Sequence, residues 1–470
     1  MEAKIHVFKS NGSHWGFNPG SYGIFALSQD VAKVIGLLAR NYPVDKIASL
    51  ARLSLDDVVQ VAKWYDALPL VCEKDDDFTT LRKLVVLTST HCNLQCAYCY
   101  ANGGNYRNAP AQMDKATAET CLDYFTSVSG YRQINGISFF GGEPLLNLDA
   151  IEAICRKAKD LYDKGVLRKT PRFAVTTNGT VVSDRVIRIL NEYKVAVCVS
   201  IDGPTKLHDF LRPYKDGKGS LKKVLGTIGI LKRNCPECRF FYDATFTQMH
   251  VELGYTMQSL REEIANLTGI HDGVVVPVIE FWKSKGTHKW GWNSKGDVYH
   301  MLMSDVENLW GQYSRGKLFV DQVVSQFLVQ FVGRKVLKMC ELGSSIFAIS
   351  PEGIIYPCQI LTGRKEFALG SIFSSTPLNE STSYKKFTEE NSFLTKQSND
   401  CLNCIARNFC LGCPARWFVE NGSMKPPKGF CSKSRRYVRE CLIKLVQVRE
   451  DPEKWAKFMN ALQRNQEAVC

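Results

Sequence analysis

The residues with the clearest capacity for chemistry are three closely spaced cysteines. Cys92, Cys96 and Cys99 form a C-x3-C-x2-C run within the stretch HCNLQCAYCYANGG. Cysteine thiolates bind zinc and iron–sulfur clusters, and both groups normally take four protein ligands. The run therefore suits a structural zinc completed elsewhere, or a four-iron cluster with one iron left open for a substrate or cofactor. Three thiols without a common role are the remaining alternative.

Further polar residues follow strand-like apolar segments later in the chain. They are Gly141, Gly142 and Glu143 after GISFF, Asn178 after RFAVTT, Ser200 at the end of VAVCVS, and Arg212 twelve residues after Ser200. Two glycines let the backbone approach a ligand, a glutamate accepts hydrogen bonds from an ammonium group, and a guanidinium binds a carboxylate through two bonds. Any one of them is equally well a strand-to-loop turn. Together they supply groups for an amine, a carboxylate and a ribose at one rim.

The elements that position these residues alternate between strand and helix. From residue 81, strand-like runs such as LRKLVVLTS, GISFFGG and RFFYDATFT alternate with helical stretches such as LDAIEAICRKAKDLYDKG. This alternation predicts an α/β fold with a parallel sheet, wound as a barrel or left open. The cysteine run follows the first strand, and parallel α/β folds place their active sites at that end of their strands.

The composition limits the class of protein. A chain of 470 residues predicts two or three domains, and a hydrophobic content of 45% is ordinary for a globular protein. The sequence has no long apolar run and its start lacks the apolar core of a signal peptide, so we predict a cytoplasmic protein without a membrane segment. Eighteen cysteines then favour metal binding or catalysis over disulfides, and the net charge of +13 is a weak hint of an acidic partner.

Residues 1–80 are predicted to form a separate winged-helix domain. KIHVF and YGIFALS indicate two strands, and three amphipathic segments indicate helices. Ser54 is a good N-cap for the third helix, with Val58, Val61 and Trp64 on one face. The acidic stretch 73–78 is predicted to be a linker.

The remaining boundaries follow from changes in pattern. They are a barrel over 81–290, a helical bridge over 291–335, a cysteine-rich domain over 336–445 and a C-terminal tail or helix over 446–470.

The cysteine run, with Tyr98 before its last cysteine, and the motif GGEP resemble those of the radical S-adenosylmethionine (SAM) enzymes over roughly residues 84–280. The resemblance implies a partial (β/α)6 TIM-like barrel and a 4Fe–4S cluster on Cys92, Cys96 and Cys99, with SAM on the fourth iron. The residues that it assigns to SAM are Gly141, Gly142 and Glu143 for the amine, Asn178 and Ser200 for the ribose, Arg212 for the carboxylate and the backbone of Tyr98 for the adenine.

A second group of cysteines follows the barrel. They are Cys340, Cys358, Cys401, Cys404, Cys410, Cys413 and Cys431. The C-x2-C-x5-C-x2-C spacing alone favours a zinc knuckle. Behind such a barrel it resembles the SPASM extension with two auxiliary 4Fe–4S clusters, although that family has three residues between the last two cysteines of the run and this chain has two.

The same resemblance implies how these cysteines are shared between the clusters. Cys401, Cys404, Cys410 and Cys431 would hold the outer cluster, and Cys340, Cys358 and Cys413 the inner one, which gives three clusters in all. The inner cluster is then one ligand short, and its open iron is free for a substrate thiolate. Cys441 is an alternative ligand, but its helical surroundings predict a packed thiol. Cys235 and Cys238 are predicted to be spare loop thiols, and Cys72, Cys121, Cys155 and Cys198 core residues.

Two subfamilies compete on the remaining motifs. Anaerobic sulfatase-maturing enzymes carry a catalytic aspartate directly after the cysteine that is Cys358 here, but this chain has Gln359, so no catalytic residue is assigned. Thioether-forming peptide maturases of the ranthipeptide or SCIFF type resemble the chain in YANGGNY, LRPYKDGKGS and ISPEGIIYPCQ. We therefore predict an enzyme that links cysteine sulfur to a carbon of another residue in a ribosomally made peptide. Formylglycine formation, carbon–carbon cross-linking and epimerisation are the alternatives.

The resemblance also implies the partners. The N-terminal domain resembles the PqqD-like winged helix of such enzymes, which binds the leader of a precursor peptide by adding it as a strand to a sheet edge. Flavodoxin or ferredoxin is the expected electron donor. A DNA-binding helix-turn-helix is the rival interpretation of residues 1–80. The sequence VDKIASLARLSLDD has few basic residues where a recognition helix needs them, so we predict no nucleic-acid partner.

Overall fold

A computed structural model of the chain describes residues 4–69, 79–278, 339–410 and 412–469. The strands are β1 (His6–Ser10), β2 (Ser13–Asn18), β3 (Gly23–Leu27), β4 (Thr80–Leu81), β5 (Lys83–Ser89), β6 (Gln133–Ile134), β7 (Gly136–Gly141), β8 (Arg172–Thr177), β9 (Ala196–Ser200), β10 (Phe240–Phe246), β11 (Gly273–Pro277), β12 (Ile346–Ile349), β13 (Ile354–Tyr356) and β14 (Gly370–Ser371). The predicted linker at 73–78 and the predicted bridge at 291–335 lie outside the described residues.

The helices include three in the N-terminal part, α1 (Gln29–Leu38), α2 (Val44–Ala51) and α3 (Leu55–Ala67). Those that follow β5 are α4 (Lys115–Asp123), α5 (Leu148–Asp163), α6 (Asp184–Glu192), α7 (Thr205–Leu211), α8 (Leu221–Asn234), α9 (Gln248–Glu252) and α10 (Met257–Thr268). Those after β14 are α11 (Thr382–Glu390), α12 (Asn399–Leu402), α13 (Pro414–Asn421), α14 (Phe430–Arg449) and α15 (Pro452–Val469). No described helix combines the length and the apolar character that a membrane crossing requires.

The N-terminal part is a three-stranded antiparallel sheet, in the order β1-β2-β3, followed by three helices. The sequence predicted only two strands and missed β2. Asn11 and Gly12 have positive φ angles of 47° and 77° and join β1 to β2 in a tight hairpin. An Asn-Gly pair is the strongest short-range signal for such a turn, so the missing strand had a readable signature.

The third helix begins as the sequence predicted. The Ser54 side chain accepts a hydrogen bond from the Asp57 backbone N–H. The buried face, however, consists of Val58, Ala62 and Tyr65. Trp64 is 38% exposed, so it lies outside the buried part of the face that the sequence indicated. A helix of 3.6 residues per turn brings positions four and seven residues after Val58 to the core, and position 64 turns away from it.

Six parallel strands build the centre of the molecule. Strands β5, β7, β8, β9, β10 and β11 lie side by side in chain order, and helices connect each strand to the next. This confirms the predicted parallel (β/α)6 arrangement. The sheet is open in the described residues, with β11 at one end. Strands of mostly branched apolar residues favour this burial, because helices cover the outer face of the sheet.

The cysteine-rich part shares this sheet. Strand β12 pairs in parallel with β5, and β13 and β14 continue in antiparallel pairing, which makes a nine-stranded mixed sheet. The boundary predicted at residue 445 falls inside α14. One face of that helix packs against the N-terminal sheet, with Phe8 and Phe17 against Val438 and Leu442. The three predicted domains are therefore joined by extensive packing.

Candidate functional site

The loop with the first three cysteines is tied to the segment that carries Arg212. The backbone N–H groups of Gln95 and Ala97 donate to the carbonyls of Pro213 and Leu211, each at 2.9 Å. These bonds hold the Cys92–Cys99 loop beside the C-terminal ends of the parallel strands, the edge that the sequence predicted. The three thiols lie close enough that Cys92 and Cys99 both raise the pKa of Cys96.

Burial decides the protonation of these thiols in the chain alone. It raises the pKa of the Cys96 thiol to about 12, against an opposing effect of the Arg212 cation. Burial also raises the pKa of the Cys92 thiol. Binding of a metal or cluster at these cysteines therefore releases protons, because bound cysteine is a thiolate.

The two glycines of GGEP serve a close approach between backbones. A Cβ atom on Gly141 would lie 2.0 Å from the Ser89 carbonyl oxygen, and one on Gly142 would lie 2.3 Å from the His91 carbonyl oxygen. Hydrogen bonds of 2.8 Å from Gly142 N to Ser89 O and from Glu143 N to His91 O complete this contact. The two glycines thus allow the end of β7 to pack against the cysteine loop. The sequence analysis had instead explained them by the approach of the backbone to a ligand.

The Glu143 carboxylate cross-links the ends of two neighbouring strands. It is fully buried and accepts hydrogen bonds from Thr177 Oγ1 at 2.8 Å, from the Asn178 backbone N–H at 2.7 Å and from the Leu145 backbone N–H at 3.1 Å. Burial raises its pKa to about 7, although these bonds favour the charged form. The main role of this carboxylate in the structure is therefore to hold together the two segments that surround the predicted amine site.

Asn178 lies beside the first cysteine. Its side-chain nitrogen is 3.8 Å from the Cys92 sulfur and donates to Asn93 Oδ1 at 2.8 Å, while its oxygen accepts from Thr180. Ser200 ends β9, is half-buried and pairs in register with Asp243 of β10. The structure thus places both predicted ribose residues at the carboxyl ends of the strands, on the side of the cysteine loop.

Arg212 takes part in a buried polar network. Its Nη1 donates to the Tyr98 hydroxyl at 2.5 Å, and the Tyr98 hydroxyl donates in turn to the Asp202 carboxylate. Arg212 Nη1 also lies 3.7 Å from that carboxylate, and Arg212 Nε is buried without a hydrogen-bond partner. A buried N–H without a partner is costly, so this group is suited to an acceptor on a ligand.

These features fit a four-iron cluster with an attached amino acid group. Three thiols, a guanidinium with an unused N–H and a close-packed glycine corner meet at one edge of the sheet. Among the described residues, no three His, Cys, Asp or Glu side chains converge as ligands of a single metal ion do. Ligand sulfurs of a four-iron cluster lie further apart than those of a single zinc ion, so this spacing is compatible with a cluster.

The structure brings Cys340, Cys358 and Cys413 together. Burial raises the pKa of the Cys340 thiol to about 11. The nearby Cys413 thiol raises the pKa of both Cys340 and Cys358. Cys340 precedes β12, Cys358 follows β13 and Cys413 caps α13. Gln359 is half-buried and directly follows Cys358. We call these three residues the inner set.

Two tyrosines lie near both the inner set and the first three cysteines. The rings of Tyr100 and Tyr106 meet edge to face, with centroids 6.1 Å apart. Cys99 and Cys358 both raise the pKa of these two tyrosines. The two cysteine groups therefore both border this pair of tyrosines.

The outer set consists of Cys401, Cys404, Cys410 and Cys431. The Cys410 thiol is influenced by the other three and by the Lys396 ammonium. Burial raises its pKa to about 11, and the Lys396 cation opposes this shift. Lys396 is 1% exposed, and Nζ donates to the Arg407 carbonyl at 2.7 Å. Sequence reasoning had not selected this lysine.

The other cysteines fall into four groups. Cys121, Cys155 and Cys441 are buried in hydrophobic clusters, and Cys235 and Cys238 are buried in a turn where they lie near the backbone carbonyls of α6. Cys72 and Cys470 lie outside the described residues. Cys198 differs from its prediction as a core residue. It is half-buried on the inner face of β9, among polar groups that include Asp243.

Two acidic residues of the site, Asp202 and Asp243, are absent from the residues that the resemblance assigns to SAM, although the sequence shows Asp202 and a glycine at the end of a strand, as it shows Asn178. Asp202 is fully buried. It accepts hydrogen bonds from the Tyr98 hydroxyl and the Thr245 backbone N–H, and it forms an ion pair with Arg212. Asp243 has a buried oxygen without a hydrogen-bond partner, and burial beside Asp202 raises its pKa to about 6. The readable signal for Asp243 was a carboxylate in an apolar strand, where alternation directs it to the inner face.

The central part of the chain matches a known family. Residues 86–265 match the family described as the Radical SAM superfamily. A curated but uncharacterized protein of Methanocaldococcus jannaschii is 37% identical over 152 residues, which are 32% of this chain and 49% of that protein. The chain therefore spans about half the length of this relative.

Two relatives match over longer stretches at lower identity. The serine-type anaerobic sulfatase-maturating enzyme of Bacteroides thetaiotaomicron is 23% identical over 73% of this chain and 84% of its own length. The antilisterial bacteriocin subtilosin biosynthesis protein AlbA of Bacillus subtilis is 24% identical over 76% of this chain and 72% of its own length.

Solved structures have the same fold. The enzyme anSMEcpe with bound AdoMet and Kp18Cys peptide has a TM-score of 0.62 at 18% identity, over 78% of this chain and 99% of that one. Streptococcus suis SuiB bound to its precursor peptide SuiA has a TM-score of 0.52 at 14% identity, over 92% of this chain and 99% of that one. At these identities the likeness shows the fold alone.

Proposed function

We propose, from the match of residues 86–265 to the Radical SAM superfamily, that the chain is a peptide maturase. In this proposal it forms thioether bonds between a cysteine sulfur and a carbon of another residue in a ribosomally made precursor peptide. When bound, a 4Fe–4S cluster with SAM supplies the means to remove a hydrogen atom from an unactivated carbon. The chain's own residues bind and orient the cofactor and the peptide.

The first site is proposed to hold that cluster and SAM. Cys92, Cys96 and Cys99 are its ligands in this proposal. The buried Nε of Arg212 offers a donor to a carboxylate, and the corner held by Glu143 presents backbone groups to an amine. The network that includes Arg212 is already ordered by its own hydrogen bonds, so little conformational freedom is lost when a ligand binds.

The observation that carries the thioether proposal is the inner set of only three cysteines beside the first site. Cys99 and Cys358 both act on Tyr100, and the cysteines that raise the pKa of Cys358 are Cys413 and Cys340. Cys441, the possible fourth ligand, is buried instead against the N-terminal sheet. Three thiolates on a four-iron cluster leave a position for a substrate cysteine, which would be held there as a thiolate.

Gln359 is consistent with this proposal. A glutamine cannot accept a proton at neutral pH, so it does not act as a base at this position. A substrate cysteine held as thiolate needs no such base. The outer set is proposed to hold a third cluster, which gives three 4Fe–4S clusters in the chain.

The N-terminal part is proposed to recognise the leader of the precursor peptide. A groove of about 660 Å³ lies between β1, α1 and α14, and its lining includes Lys9, Lys33 and Arg439. An edge strand beside a basic groove suits an extended peptide that carries acidic residues. A DNA-binding role is disfavoured, since α3 begins with Asp56 and Asp57, which would repel phosphates.

Mass spectrometry of the product tests the proposal. Each thioether removes one hydrogen from sulfur and one from carbon, so the product should be lighter by two hydrogen atoms per ring. The linked cysteine should resist alkylation. A precursor in which this cysteine is serine should remain unmodified, although SAM is still cleaved. A loss of two hydrogens with the cysteine still open to alkylation would reject the thioether.

Formylglycine formation is the second candidate, favoured by the similarity to the sulfatase-maturating enzyme. It predicts an aldehyde that reacts with hydrazides at the position of the target cysteine.

A truncated chain that starts at Leu81 separates recognition from chemistry. It should cleave SAM without peptide but lose affinity for the full-length precursor, and unchanged processing of that precursor would contradict leader binding by residues 1–80.

A further inference from the structure

A buried histidine lies behind the network of Arg212, Tyr98 and Asp202. His208 is fully buried on α7, the helix that is followed directly by Arg212. Its Nδ1 accepts a hydrogen bond from the Asp202 backbone N–H at 3.3 Å, and its Nε2 lies 3.1 Å from the Ser220 hydroxyl oxygen. A backbone N–H only donates, so Nδ1 is unprotonated and the neutral imidazole carries its proton on Nε2. Burial lowers the pKa of His208 to about 4, which keeps the imidazole neutral near pH 7.

Ser220 connects this imidazole to the main chain of Arg212. The Ser220 hydroxyl donates to the Arg212 carbonyl at 2.6 Å. A serine directly before a helix normally caps it by accepting from a backbone N–H, but Ser220 makes no such bond to α8. The Asp209 carboxylate takes over part of this task, since it accepts from the Leu221 backbone N–H at 2.7 Å. The Ser220 hydroxyl is therefore available to link His208 with Arg212.

These contacts close into a ring. The Asp202 and Arg212 side chains meet at the Tyr98 hydroxyl, so a continuous path of hydrogen bonds returns to its starting point. The path runs from His208 through Asp202, Tyr98, Arg212 and Ser220 back to His208, and we call it the hydrogen-bonded ring. Apart from Tyr98, every member is buried. One imidazole thus fixes the main chain on both sides of the contact between the guanidinium and the carboxylate.

A second histidine holds Asp202 from the neighbouring strand. His250 is fully buried, its Nδ1 accepts from the Thr247 backbone N–H at 2.9 Å, and its Nε2 lies 2.9 Å from the Asp202 carbonyl oxygen. By the same reasoning this imidazole is neutral and donates from Nε2. The main-chain N–H and the main-chain carbonyl of Asp202 are therefore both bound by neutral imidazoles, which leaves the residue little freedom to move.

We propose that His208 is a positioning residue for SAM, which acts through the hydrogen-bonded ring by fixing the direction of the Arg212 guanidinium. The inference rests on the proposed function in that Arg212 binds the carboxylate of SAM. The Nε of Arg212 is the buried N–H without a partner, and its direction depends on where the ring holds the rest of the side chain. An arginine that is ordered beforehand loses less rotamer freedom when it binds a ligand, so the affinity is higher.

The test measures SAM binding to the anaerobically reconstituted full chain by equilibrium dialysis with radiolabelled SAM, without reductant, so that SAM is not cleaved. His208→Leu removes both hydrogen bonds of the imidazole, and Ser220→Ala opens the ring at the next link. We expect each change to weaken SAM binding about tenfold and to leave the iron content unaltered. The two changes together should cost clearly less than the about hundredfold loss of independent effects, because they open the same ring. His208→Gln, whose amide can still donate to Ser220, should recover part of the affinity.

Matched controls apply the same changes outside the ring. His6→Leu replaces a histidine of β1 in the N-terminal sheet. Ser183→Ala removes a serine whose hydroxyl caps α6 by accepting from the Val186 backbone N–H at 3.3 Å. Both control variants should bind SAM as the unmodified chain does. An equal loss of SAM affinity in the controls and in the ring variants would overturn the proposal.

Two further measurements separate positioning from a general structural role. In the Arg212→Met background, His208→Leu should cause no further loss of SAM affinity, because no guanidinium remains to be oriented. Decarboxylated SAM lacks the group that Arg212 is proposed to bind, so His208→Leu should leave its affinity unchanged. A further tenfold loss in either measurement would show that His208 supports the fold in general and would overturn the proposal.

The unmodified chain distinguishes this failure from failure of the proposed function. If the reconstituted chain shows no saturable binding of SAM, the proposed function itself is wrong. If the unmodified chain binds SAM and Arg212→Met weakens this binding while His208→Leu does not, only the positioning role of His208 is wrong.

Discussion

The first cysteine group and the outer set use the same residue type in opposite surroundings. Around Cys92, Cys96 and Cys99 the structure places a mixed network, in which Arg212 is opposed by the buried carboxylates of Asp202 and Glu143. Around the outer set, by contrast, cations act on the thiols: Lys396 on Cys410 and Arg435 on Cys404.

This difference shows how surroundings separate the roles of two similar groups. A zwitterionic ligand needs both donors and acceptors, and only the first group offers both from buried, ordered side chains. If the outer set holds a cluster as proposed, the neighbouring cations would stabilise an electron added to it. The cysteines alone do not define these roles.

The largest expected effect comes from removal of either group. Cys92→Ala, Cys96→Ala and Cys99→Ala together should remove about four of about twelve irons and abolish SAM cleavage. Cys401→Ala with Cys404→Ala should remove a similar amount of iron but leave SAM cleavage detectable. Iron analysis and chromatography of deoxyadenosine measure both.

Cys235 and Cys238 provide the matched control for this comparison. Their change to alanine should leave the iron content unaltered, because both thiols are buried in a turn away from the proposed clusters. SAM cleavage that survives the first triple change would break the comparison, since the two groups would then be equivalent.

The next effect concerns the buried network of the first site. Arg212→Met removes the cation beside the buried Asp202 carboxylate and leaves the Tyr98 hydroxyl without its donor. We expect the free energy of unfolding of the apoprotein to fall by about 3 kcal/mol, measured by urea denaturation. The double variant with Asp202→Asn should recover part of this loss, because no buried charge remains unpaired. Additive effects of the two changes would argue against coupling.

The smallest effect is a pH dependence that differs between the two sites. Glu143 has a folded pKa of about 7 against an ordinary value of 4.5, so the folded chain binds more protons between these values. Its contribution to stability is fully present below pH 4.5 and is lost as pH rises through 7, by at most about 3 kcal/mol. Lys396 has a folded pKa lowered to about 8 from 10.5, so its effect is a rise in stability between pH 8 and 10.5.

Variants of these two groups check the assignment. In urea denaturation of the apoprotein, Glu143→Gln should flatten the loss of stability between pH 4.5 and 7, and Lys396→Met the gain between pH 8 and 10.5. Glu352→Gln, at an exposed position, is the control and should leave both slopes unchanged. Equal slopes in Glu143→Gln and the unmodified chain would assign the lower transition to another group.

The sequence by itself predicted the parallel (β/α)6 order and the radical SAM family. It also predicted three groups of cysteines, and the assignment of these groups to clusters stays a prediction. Chain-order strands joined by helices leave few ways to arrange a parallel sheet. Motif spacing is local, so the run from Cys92 to Cys99 is recognisable without any tertiary information.

Only the tertiary structure decided which side chains face one another across the site. The partners of Arg212 and Glu143, the inner-face position of Cys198 and the burial of Lys396 all depend on contacts between segments far apart in sequence. A strand pattern predicts alternation but does not say which face meets the covering helices. The charge that surrounds each cysteine group, and with it the proposed division of roles, therefore arises only when the sheet and the C-terminal helices are assembled.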